Sequence, residues 1–134
     1  MNLSLIALLS VFGLAMGAAT LAGLIPRGFE LPLWLLIGIF CAVVIARRVE
    51  ARRFLHGFAV GFVNGALSPL IQVLFFSLYL KNNAYAAATF QRLPAGLSPR
   101  IFVLCTLPFI AILSGLVVGL LAWVAGKAIK PKAV

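Results

Sequence analysis

Four long apolar stretches, separated by shorter polar ones, set the organisation of the chain. The first, Leu3 to Ile25, closes at Pro26-Arg27-Gly28; its 23 residues reach roughly 35 Å as a helix rising about 1.5 Å per residue. That length crosses a hydrocarbon core of about 30 Å. A signal peptide is the competing assignment, but no Lys or Arg precedes the apolar run as it would in such a peptide. The second stretch, Leu31 to Ala46, is shorter and begins with Pro32, which suits a first helical turn. It ends at Arg47-Arg48, whose long side chains can reach the interface and make up for missing length. The third runs from Gly57 to Leu80 and the fourth from Ile101 to Ala125, ahead of a tail carrying Lys127, Lys130 and Lys132. No run keeps a period-2 alternation, and each is longer than a membrane strand of about ten residues. The pattern predicts an all-α, polytopic transmembrane bundle of four helices. It forms one membrane domain over residues 1–134, with a basic loop at 47–56 and a longer loop at 81–100.

Inside the third run the small and polar residues fall on one side. At about 100° per residue, Gly57, Gly61, Asn64, Gly65, Ser68 and Gln72 share an arc, and the opposite arc is wholly apolar. Gly57, Gly61 and Gly65 have the GxxxGxxxG spacing of a glycine zipper, which lets helix backbones approach closely where lipid supplies no hydrophobic drive. The first run carries a matching stripe of Ser10, Gly13, Gly17 and Thr20, and the fourth one of Pro108, Ala111, Gly115, Gly119, Ala122 and Gly126. Only Gly38 interrupts the apolar circumference of the second. These stripes predict that spans one, three and four form the core, with span two on the lipid side. Gly13, Gly17, Gly57, Gly61, Gly65, Gly115 and Gly119 are the candidate helix-packing residues.

Ser68-Pro69 falls near the middle of the third span, where proline frees the carbonyl of Gly65 and can kink the helix. Polar groups there must find partners, because unpaired ones in hydrocarbon cost several kcal/mol. Asn64, Ser68 and Gln72 are therefore the candidate intramembrane polar site. Two readings stay open: a water-lined path or solute site, and simple hydrogen bonding between helices.

Composition strengthens the membrane assignment. Hydrophobic residues make up 64% of the 134, charged ones 10%, and mean hydropathy is +1.20, more apolar surface than one soluble core could hide. Eleven Lys and Arg stand against two acids, Glu30 and Glu50. In a soluble protein this balance would suggest nucleic acid, but the aromatic residues lie inside the apolar runs rather than among the basic ones. Arg47, Arg48, Arg52, Arg53 and the three tail lysines give seven basic residues on one side, against four on the other (Arg27, Lys81, Arg92 and Arg100). The excess predicts cytoplasmic termini, with the four loop arginines as topology anchors that contact anionic headgroups. Small size and the arginine loop suggest a bacterial inner membrane.

Little else points to chemistry. His56 is the only histidine and has too few ligand-type neighbours to build a metal site. Glu50 can pair with Arg47 or Arg53, and Glu30 follows Arg27; neither has a partner acid or nucleophile. Cys41 and Cys105 lie at different depths, which disfavours a disulfide. No acid in span one, no hydroxyl cluster around Pro69 and no paired cysteines set the chain apart from small multidrug exporters, dual-topology fluoride channels and quinone-linked disulfide formers, respectively. The sequence thus predicts a non-enzymatic protein without cofactor or metal. Its expected role is an accessory or assembly subunit packing on other membrane proteins or on itself. The alternative is a homo-oligomeric channel or uniporter lined by the polar face of span three.

Overall fold

The computed structural model describes residues 1–130; Lys132 of the basic tail lies outside them. The described chain forms α1 (Leu3–Leu21), α2 (Glu30–Arg48), α3 (Arg53–Leu74), α4 (Phe76–Asn82), α5 (Ala84–Phe90) and α6 (Pro99–Ala128). Of these, α1, α2, α3 and α6 are long and apolar enough to cross a membrane. The 19 residues of α1 and of α2 extend about 28 Å, close to the thickness of a hydrocarbon core, whereas the 30 of α6 extend about 45 Å.

The helix ends follow backbone chemistry rather than hydropathy. Although the apolar run continues to Ile25, α1 stops at Leu21 because Gly23 adopts φ +71° and the chain closes in a Schellman motif. In that motif Leu24 N donates to Ala19 O and Gly23 N donates to Thr20 O. Pro69 sits inside α3, and the helical path is interrupted later, at Phe75 (φ −112°, ψ 41°). Beyond that point α4 brings Phe76 into a small cluster with Val73 and Val103, flanked by Tyr79, Leu80 and Phe90. Burial of this ring between α4, α5 and α6 gives the chain a reason to turn there.

At the centre of the bundle is α3, which packs most extensively on α6, then on α1, with a lesser contact to α2. A second large contact joins α2 to α6. The main core lies toward the basic end, where Leu5, Ile6 and Leu9 of α1 meet Cys41, Ala42 and Ile45 of α2, Val60 of α3 and Ala122 of α6. The placement of span two outside the core therefore needs correcting for half its length. Cys41, Ala42, Ile45 and Ala46 are at most 2% exposed, but Leu31 is 78% and Leu36 64% exposed. Small residues let the C-terminal half of α2 approach its neighbours, and bulky ones hold the N-terminal half away. Of two recesses lined by α2 and α6, the larger includes Glu30.

Candidate functional site

Two seams take up the glycine stripes. Along α3–α6, a Cβ on Gly57 would stand 2.6 Å from the carbonyl oxygen of Val118, one on Gly65 2.7 Å from Ser114 Oγ, and one on Gly61 would overlap the Ser114 carbonyl. From the other side, Gly115 lies under the ring of Phe58 and Gly119 under that of Phe54, with hypothetical Cβ atoms 3.0 and 2.9 Å from the nearest ring carbons. Along α1–α3, a Cβ on Gly13 would meet Asn64 Cα at 2.8 Å, and one on Gly17 would meet the Ile71 side chain at 2.7 Å. All seven glycines singled out by spacing thus lie at internal helix contacts.

Asn64, 4% exposed, uses its amide on the backbone of α1. Gly13 N donates to its Oδ1 at 2.7 Å, and its Nδ2 donates to Leu9 O at 3.2 Å. Leu9 O and Gly13 N are an i, i+4 pair, so one side chain bridges a full turn of the neighbouring helix. Its amide is thus engaged between helices, although the residue also borders the narrower recess described below.

The other two candidate polar residues face elsewhere. Ser68 and Gln72 line a groove of about 430 Å³ together with Glu30, Leu31, Trp34 and Ser114. A second, largely apolar recess of about 170 Å³ continues it past Leu35, Gly38 and Cys41, with Leu31, Trp34, Leu113 and Ser114 common to both. The two form one channel-like cleft between α2 and α6, floored by α3. Its length, from Leu31 to Cys41 along α2, is about 15 Å. Ser68 is 3% exposed; the hydrogen bonds among the described residues engage Asn64 but none of Ser68, Gln72 and Ser114. Glu30, at the wide mouth, was assigned no role beyond the surface by its sequence context, and nothing in the pattern brings it near Gln72. The fold places both on the wider groove.

At the opposite end, Arg47, Arg48 and Arg52 are exposed, whereas Arg53 is half-buried. Its Nε donates to Val49 O at 2.7 Å and a terminal nitrogen donates to Gly126 O, in the last turn of α6. A guanidinium there also favours the negative end of the helix dipole. His56, 4% exposed, accepts from Asn2 N at 2.9 Å through Nε2, with Nδ1 3.0 Å from Arg52 O, an arrangement of the neutral imidazole with its proton on Nδ1. These bonds gather the N-terminus, the basic loop and the end of α6 at one end of the bundle. Arg52 itself sits at φ +57°, an uncommon conformation for a residue with a side chain.

At the other end, Lys81-Asn82-Asn83 has a function that hydropathy does not reveal. Asn82 Nδ2 donates to Leu21 O at 3.0 Å, and Asn83 Nδ2 donates to Thr20 O at 2.8 Å. The Asn82 amide satisfies a terminal carbonyl that α1 does not pair internally, and the Asn83 amide adds a second donor to the Thr20 carbonyl of the Schellman turn. Cys41 is buried and Cys105 exposed, both as free thiols. Among the described residues, no group of three or more His, Cys, Asp or Glu converges as a metal site would require.

No protein-family model matches this chain, and neither the curated proteins nor the solved structures contain a match to it.

Proposed function

We propose that this is a non-enzymatic integral membrane protein that works by holding a small amphiphilic molecule in the cleft between α2 and α6. The observation that carries this reading is the cleft itself: apolar walls, a floor of uncommitted hydroxyl and amide groups, and a charged mouth. Ligand sites of small molecules have this make-up, at roughly 300–1,000 Å³, and occur between the helices of bundles.

The accessory-subunit role has narrower support. Its motive is a surplus of small-residue faces, and Gly57, Gly61, Gly65, Gly115, Gly119, Gly13 and Gly17 are all occupied inside the bundle. A partner helix, or a second copy, would have to dock on the larger apolar surfaces of α2 and α6. A homo-oligomeric channel has one observation in its favour, the uncommitted Ser68 and Gln72, while Asn64, which borders the narrower recess, has its amide engaged on α1.

The N-terminus, the arginine loop and the last turn of α6 share one end of the bundle, which supports a cytoplasmic location for that end and an outward-facing cleft mouth. Exposed Arg47, Arg48 and Arg52 would there meet anionic headgroups; a bacterial inner membrane fits this arrangement.

Fluorescence of Trp34 in a Trp123→Phe background tests the reading. A single-chain amphiphile should shift the emission saturably, and Leu113→Phe, which fills the cleft from an exposed position, should weaken binding at least about fivefold. Identical titrations of the two proteins would remove the cleft as a binding site.

A further inference from the structure

We infer that the cleft selects an amphiphile with an ammonium head, drawn from the surrounding bilayer; this rests on the cleft being a binding site and adds the identity of what it takes. Glu30 is the single charged side chain lining the cleft. It lines the wider groove together with Trp34, which lines both recesses. A carboxylate and an aromatic side chain lining one groove can together hold an alkylammonium group, by charge attraction and by the ring quadrupole.

Two cations are engaged on aromatic rings away from the cleft. Arg27 is stacked on the Tyr85 ring, 3.9 Å from its centroid, and Arg100 lies over Phe76, 5.6 Å from its centroid. Both rings belong to the α4–α5 side, and neither arginine lines the cleft.

Below the mouth, the chemistry changes in the order a lipid requires. Gln72 and Ser68 line the groove with an amide and a hydroxyl that make no hydrogen bond among the described residues, and Ser68 is nine-tenths buried. These groups can take the phosphate or ester oxygens that follow an ammonium head. Deeper still, Leu35, Gly38, Cys41, Val117 and Leu121 offer an apolar slot suited to one acyl chain.

The test compares lauroyl lysolipids with ethanolamine, choline and glycerol heads. Each is titrated into the Trp123→Phe protein held in nanodiscs of neutral glycolipid, with Trp34 emission as the readout. The two ammonium heads should bind about fivefold or more tightly than the glycerol head, as one ion contact near water allows. Glu30→Gln should abolish that preference while leaving glycerol-head binding no weaker. Equal binding of all three heads, or a preference that survives Glu30→Gln, would overturn the ammonium selectivity and leave the cleft as a general amphiphile site. Absence of any saturable signal, or binding of all three unaffected by Leu113→Phe, would overturn the cleft and the selectivity together.

Discussion

A single arc of α3 divides its polar residues between two jobs, and the division follows from helix geometry. Four residues advance a helix by about 400°, so Ser68 is rotated roughly 40° from Asn64, and Gln72 about 80°. That is enough to turn Asn64 onto α1 while Gln72 opens into the cleft. Asn64→Ala should therefore cost about 1–2 kcal/mol of stability, since two interhelical bonds are lost and a space is left behind. Gln72→Leu should stay within about 0.5 kcal/mol of the parent protein. Unfolding of both variants in mixed detergent micelles checks the contrast, and equal losses would contradict it. Gly61 offers a sharper steric case. A valine there would drive its side chain into the Ser114 carbonyl, at a cost of about 1–3 kcal/mol by the same measurement.

The four apolar elements were legible in the sequence, but their ends and pairings were only partly so. Runs of hydropathy locate a span without locating its last hydrogen bond. Gly23 lies inside an apolar run, yet its positive φ ends α1, and the terminal carbonyls of Leu21 and Thr20 accept from Asn82 and Asn83 some sixty residues away. No local pattern announces such a partner. Asn83→Ala removes donors to both Thr20 O and Tyr79 O and should destabilise the α1 terminus by about 1 kcal/mol. Hydrogen exchange of the Leu21–Leu24 amides should then accelerate about fivefold; unchanged protection would show that the asparagines are dispensable. The glycines so spaced lie at close contacts of α3 with α1 and α6. The spacings leave the partner open, because the α3 stripe would suit either α1 or α6. The break at Phe75 escapes the pattern for a related reason: Pro69 is the visible breaker, while the turn depends on where Phe76 can bury its ring.

For the whole molecule, the decisive feature is the unequal packing of α2. Residues such as Cys41, Ala42 and Ala46 close the bundle at the basic end, and Leu31, Trp34 and Leu35 leave it open at the other. The sequence contains this gradient from bulky to small, but a helix read by its apolar circumference appears uniform, and so span two was expected to stand outside the core. The cleft follows from that asymmetry, and with it the meeting of Glu30, Trp34, Ser68 and Gln72, which are scattered along two helices. Native mass spectrometry of the protein released from its own membrane tests the account most directly. The account predicts a single chain carrying one lipid-sized adduct that is lost in Leu113→Phe. A bare chain, an adduct that Leu113→Phe retains, or a fixed complex with another protein and no small molecule would contradict it.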